Sequence, residues 1–141
     1  MQKLEMIENK YFKASKQTVL SMLWLVYLLN VLFRDVHEFI KAEFLEQALS
    51  GTINGYEVTE GLLLIGGFVA AVAVFMVFLS ATLKQKPNRK MNLILSPLFA
   101  LSIITNGFGD PDDLLHLVIE LAAMIAIFTI AWRWKPTIAK K

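Results

Sequence analysis

Cysteine is absent from the 141 residues, which excludes disulfides, thiolate metal sites and thiol redox chemistry. The chain also lacks a nucleophile with a base beside it, a Rossmann glycine pattern and a Walker pattern, so no enzyme is expected. Charge is sparse, at 18% of residues, and the stretch from Gly61 to Leu83 holds no ionisable residue. No polar stretch between the apolar runs is long enough for a second soluble domain. What remains is 56% hydrophobic with a mean hydropathy of +0.55, too apolar for a soluble domain of this size.

A helix needs about 20 mostly apolar residues to cross the hydrocarbon of a bilayer. Four segments meet that requirement, at 17–37, 61–83, 91–108 and 114–134. The expected fold is therefore all-α, a four-helix transmembrane bundle over residues 17–134. Pro97 lies well inside the third span, where it removes a backbone donor and is expected to kink the helix. Residues 1–16 place Leu4, Ile7 and Tyr11 on one helical face among lysines, which reads as a short amphipathic helix on the inner surface. Residues 135–141 form a tail.

Orientation follows from charge. The N-terminal segment, the loop from Lys84 to Lys90 and the C-terminal end hold all of the Lys and Arg except Arg34 and Lys41. Basic residues near span ends stay in the cytoplasm, so both termini are expected inside, in a multi-pass plasma membrane protein. These lysines mark topology and attract anionic lipid; they do not signal nucleic acid. The bilayer is the main partner implied, with a second copy or a membrane-complex subunit as the protein partner.

After the first span, Ile40, Phe44, Leu45, Ala48 and Leu49 recur at helical spacing, so the helix should run on or bend to about Leu49. Asn54-Gly55 is the tightest turn signal, and Thr59 is suited to cap the second helix. Gly66, Ala70 and Ala73 form one small-residue stripe on that helix, with Gly67 and Ala71 beside it, and both read as helix contact faces.

Polar residues inside the spans carry the chemistry, because ionisable groups in hydrocarbon need a partner or water. At 100° per residue, Tyr27, Asn30, Arg34 and His37 share one face of the first helix. Asp113, His116 and Glu120 form a stripe on the fourth, and Ser102, Asn106 and Asp110 on the third. All lie in the outer half, so they are expected to converge on the bundle axis. Asp110-Pro111-Asp112-Asp113 is more simply a helix start, with an N-cap acceptor, proline at N1 and carboxylates against the dipole. Glu120 has no such reading, being too deep and too short to reach water, and Arg34 or His116 is its expected partner. The candidate ligand or ion pocket comprises Asn30, Arg34, Asp35, Asn106, His116 and Glu120.

His37, Asp35, His116 and Glu120 could in principle ligate a metal, but neither helix shows Glu-x-x-His spacing. Two histidines could bracket one haem, yet His37 lies near the loop. No cofactor and no metal site are assigned on this basis; haem or metal binding is the remote alternative.

Leu20-Ser21-Met22-Leu23-Trp24, Asn30, Asp35, Gly61-Leu62-Leu63-Leu64, Phe78-Leu79-Ser80, Asn88-Arg89-Lys90-Met91-Asn92, Ile119-Glu120 and Trp132-Arg133-Trp134-Lys135-Pro136 span nearly the whole chain. In this layout the chain resembles a family of uncharacterised four-helix bacterial membrane proteins. The resemblance implies a bacterial plasma membrane and brings no established activity. In that family the position of Arg34 is more often small or apolar, so the resemblance directs attention to Asn30, Asp35 and Glu120. Two functions are compatible with these features. One is a pathway for a small ion, a proton or a small solute, or a ligand-binding protein with its pocket in the outer half. The other is a structural or accessory subunit whose polar network only orders the bundle.

Overall fold

The computed structural model describes residues 14–53, 55–106, 109 and 111–135. The expected interfacial helix over 1–16, Asn54, Asp110 and most of the C-terminal tail fall outside the described residues or at their edge. Among the described residues five helices and one two-stranded hairpin run in the order α1 (Lys16–Ile40), α2 (Ala42–Ser50), β1 (Thr52–Ile53), β2 (Tyr56–Glu57), α3 (Glu60–Thr82), α4 (Gln85–Asn106) and α5 (Pro111–Arg133).

Local chemistry sets each boundary. Ser15 caps α1, its hydroxyl accepting from the Thr18 amide at 3.1 Å. The helix runs past the span expected at 17–37 to Ile40, where Lys41 turns extended and α2 follows to Ser50, in keeping with the expectation that the helix runs on or bends to about Leu49. Gly51, at φ 76°, takes the left-handed conformation that closes α2. Gly55, at φ 80°, lies in the two-residue loop of the hairpin, whose register pairs Ile53 with Tyr56. Thr59 caps α3 by accepting from Leu62 N at 3.2 Å.

The fourth helix differs most from expectation. It starts at Gln85 and takes in the polar Lys86 to Lys90 segment, which hydropathy had left outside the span. Helix formation asks for backbone geometry and partners, not apolarity, and Pro87 sits in the first turn where proline is tolerated. The helix continues through Pro97, which by its covalent structure cannot donate to the Leu93 carbonyl.

Among the described residues three helices, α1, α3 and α5, are long and apolar enough to cross a membrane; α4, with its polar first turns, is not among them. α1 packs against both α3 and α5, and α4 packs along α5, while α3 meets α4 much less. The buried core is formed by Leu20, Trp24 and Tyr27 of α1, Ala73 and Met76 of α3, Phe99 and Ile103 of α4, and Ala123, Met124 and Ile127 of α5. Every residue from Glu60 to Ala71 on α3 is exposed, and a Cβ at Gly66 or Gly67 would meet nothing within 4 Å. Among the described residues the two small-residue stripes are therefore not contact faces, Ala73 excepted. Small size permits close approach but does not select a neighbour. Bare Leu62, Leu63, Leu64, Ile65 and Phe68 would form a continuous apolar patch in water, and hydrocarbon is the solvent that suits them.

A buried polar cluster lies toward the end of the bundle where Gln17 bonds the Leu83 carbonyl and Gln85 the Lys135 carbonyl. Trp24 Nε1 donates to Asn92 Oδ1 at 2.7 Å, and Asn92 Nδ2 donates to Asn88 Oδ1 at 2.7 Å. Asn88 Nδ2 donates to the Ser80 carbonyl at 2.6 Å, and Ser96 Oγ to the Asn92 carbonyl at 2.7 Å. One side-chain set thus ties α1, α3 and α4 together. Asn92→Ala leaves the Trp24 indole without its acceptor, and a cost of about 1–3 kcal/mol is expected. Thermal unfolding in detergent measures it; an unchanged midpoint would remove Asn92 from the account of the fold.

Candidate functional site

The polar face of α1 meets the polar face of α5 at the opposite end, beside α2 and the hairpin. Asn30, Arg34 and His37 are spaced by about one turn on α1, and Asp112, His116 and Glu120 by four on α5, so two helical faces supply the whole cluster. Glu120 is 1% exposed and His116 6% exposed. A buried carboxylate in apolar surroundings requires charge and hydrogen-bond partners, and two are present. Arg34 Nη1 lies 3.3 Å from Glu120 Oε1 and 3.4 Å from Oε2, and Asn30 Nδ2 donates to Oε1 at 3.2 Å. Arg34 remains 23% exposed at its side chain, so the pair spans the boundary between the core and the surface.

Asn30 is the joint. Its Nδ2 also donates to the His116 carbonyl at 3.0 Å, and its Oδ1 lies 2.9 Å from His116 Nδ1. With both amide hydrogens committed to acceptors, the Oδ1 atom accepts, so His116 carries its proton on Nδ1. In the neutral ring Nε2 then presents a lone pair. That atom faces His37 Nδ1 at 3.3 Å, the two rings meeting edge to face at 5.4 Å. His37 Nδ1 lies in turn 3.8 Å from Asp112 Oδ2, and Lys41 Nζ lies 3.7 Å from Asp112 Oδ1. A chain of polar contacts therefore leads from buried Glu120 to His37 and Asp112, which are 49% and 41% exposed.

The expected site residues are distributed unevenly over this geometry. Asn30, Arg34, His116 and Glu120 come together. Asp35 is exposed, and among the described residues no hydrogen bond or ion pair joins it to the cluster, because it follows Arg34 on α1 and turns 100° away from that face. The Asn106 side chain and Asp110 lie outside the described residues, and Ser102, the remaining member of the third stripe, is exposed. Among the described residues of the α4 stripe, Ser102 does not reach the site. Asp112 joins it instead, a role hidden because a carboxylate in the first turn of a helix is already explained by the dipole; its i,i+4 spacing to His116 was the available signal. The Trp24, Ser80, Asn88 and Asn92 cluster is likewise not among the expected polar stripes, although Asn88, Asn92 and Ser96 recur every four residues.

Between the two clusters stands an aromatic layer. Trp24, Tyr27 and Phe99 meet edge to face, with centroids 5.2 Å (Trp24 to Phe99), 5.6 Å (Tyr27 to Phe99) and 6.1 Å (Trp24 to Tyr27) apart. Met124 and Ile127 of α5 belong to the same buried cluster as these rings. Among the described residues no side-chain hydrogen bond crosses this layer to join the two clusters.

Removing one partner of a buried ion pair leaves an uncompensated charge. Arg34→Ala is expected to destabilise by about 3–5 kcal/mol. Adding Glu120→Gln to Arg34→Ala should recover part of that loss, as read by a double-mutant cycle of thermal stability in detergent. Additive effects would show that the pair is not coupled.

No curated protein and no solved structure shows significant similarity to the chain. Residues 7–139 match a family described as Family of unknown function (DUF6326), and the chain belongs to that family.

Proposed function

We propose that the protein is a four-helix integral membrane protein with both termini cytoplasmic, which binds a small cation in the outer half of its bundle as part of a cation pathway. One observation carries this: the continuous polar chain from buried Glu120 through Asn30 and His116 to the exposed edge at His37 and Asp112. The sign of the ligand follows from charge. Around this end Asp35, Glu38, Asp112, Asp113 and Glu120 outnumber Arg34 and Lys41, and a low-dielectric mouth lined by one sign of charge concentrates the opposite ion. The aromatic layer of Trp24, Tyr27 and Phe99 closes the path on the inner side, so passage requires those rings to move.

The fourth span is α4. Its 22 residues correspond to about 33 Å of helix, and in its polar first turns Asn88 and Asn92 are buried against Ser80 and Trp24 while Lys86 and Lys90 stay exposed, as at an interface. The bacterial plasma membrane is the location that suits the distribution of lysine and arginine. A structural or accessory subunit is the second reading, favoured by the fact that among the described residues no buried side-chain polar atom lacks a partner.

Two experiments address this. Cysteines introduced at Ser50 and at Lys86 should label from opposite faces of the membrane, and same-side labelling would refute the topology. Reconstituted protein should pass cations across liposomes in a panel that includes protons and divalent ions. Glu120→Gln should lower that flux about tenfold or more, with a smaller drop in melting midpoint than Arg34→Ala, because the Arg34 left unpaired is partly exposed to solvent. A folded wild type that passes nothing, with Glu120→Gln that fails to fold, would assign the cluster to the structural role.

A further inference from the structure

We infer that His37 Nδ1, His116 Nε2 and one carboxylate oxygen of Asp112 form a binding site for a divalent transition-metal ion of the zinc type. This rests on the cation-binding proposal for the same end of the bundle and gives that cation its class. The three ligand atoms all lie within 4.8 Å of one another. Zinc binds imidazole nitrogen at about 2.0–2.1 Å, so two nitrogens on one tetrahedral ion stand about 3.3–3.4 Å apart. The His116 and His37 nitrogens are 3.3 Å apart. Asp112 Oδ2, at 3.8 Å from His37 Nδ1, needs only a small side-chain adjustment, which its partial exposure permits.

The supporting groups suit a metal as well as the ligands do. A ligating histidine nearly always gives its other N–H to a carbonyl or carboxylate, which fixes its tautomer. His116 does so through Nδ1 to Asn30 Oδ1, and Asn30 is itself oriented by Glu120 and by the His116 carbonyl. The Nε2 lone pair is thereby aimed at the site before any ion arrives. His37, about half exposed, is free to place its own proton on Nε2 and offer Nδ1. Lys41 stands against the other Asp112 oxygen and offsets part of the local negative charge, leaving Oδ2 as a single-oxygen ligand. Two imidazoles and one carboxylate from the protein match the open zinc sites that keep a fourth position for water or an exchanging ligand. Nitrogen donors select zinc-type ions over magnesium and calcium, which prefer all-oxygen shells. Asn30 and Glu120 are positioning residues here and touch the ion through His116.

Purified full-length protein in detergent is titrated with Co²⁺, followed by its visible absorption, and with Zn²⁺ by calorimetry; a thermal melt of each variant reports the fold. One ion per chain is expected, with a tetrahedral-type Co²⁺ spectrum that Zn²⁺ displaces. His37→Ala and Asp112→Asn, both at half-exposed side chains, should keep the melt and lower affinity at least about 100-fold and about 10-fold respectively. Asn30→Ala should weaken binding about 10- to 100-fold and alter the Co²⁺ spectrum, a change that a purely structural role would not produce. Wild type that binds no Co²⁺ or Zn²⁺ at 100-fold molar excess, or binding unchanged in both His37→Ala and Asp112→Asn, overturns the inference. Cation flux without Zn²⁺ binding overturns this inference alone, whereas Zn²⁺ binding without flux supports the site and removes the pathway.

Discussion

Asn30 holds α1 to α5 through three contacts at once, donating to the His116 carbonyl and to Glu120 and accepting from His116 Nδ1. An amide in that position fixes more than a distance. It sets the register of the two helices, keeps the Glu120 carboxylate inside the bundle, and decides which nitrogen of His116 carries the proton. In hydrocarbon, where apolar contact between helices has no water to exclude, such side-chain bonds and close packing must determine which faces meet. Arg34 then supplies the charge that makes a buried Glu120 tolerable, from a position still in touch with the surface.

The second polar cluster repeats the device between other helices. Trp24 reaches from α1 to Asn92 of α4, Ser21 Oγ donates to the Val77 carbonyl of α3 at 2.8 Å, and Asn88 binds the Ser80 carbonyl. At the same end Gln17 Nε2 donates to the Leu83 carbonyl at 2.8 Å and Arg89 Nε to the Ala131 carbonyl at 3.0 Å. α3 is therefore gripped at one end only, which leaves Glu60 to Ala71 exposed. The aromatic layer separates a cluster whose every partner is internal from one whose chain of contacts reaches the surface. That asymmetry distinguishes a clamp from a site.

Periodicity made much of this legible. The apolar runs disclosed the helices, and Tyr27, Asn30, Arg34 and His37 could be placed on one face because a helix turns by a fixed angle per residue. Glu120 stood out because no cap, loop or snorkelling explanation fitted it. Legibility fails where a residue has a sufficient local explanation, as Asp112 does in the first turn of α5, and where a polar stretch reads as a loop, as the start of α4 does. It fails also for Gly66 and Gly67, since a small side chain shows that a neighbour could approach but not that one does. Asp35 shows the converse: a charged residue adjacent in sequence to the cluster lies on another face of the same helix.

The nitrogen that carries the His116 proton tests the central role of Asn30 most directly. Solid-state NMR of ¹⁵N-histidine-labelled protein in lipid distinguishes the two neutral tautomers by their nitrogen shifts, with His37→Ala simplifying assignment. Neutral His116 should carry its proton on Nδ1 with Nε2 unprotonated, and Asn30→Ala should release that preference. A neutral His116 protonated on Nε2 in the wild type would mean that Asn30 does not hold the ring, and the joint between α1 and α5 would have to be sought elsewhere.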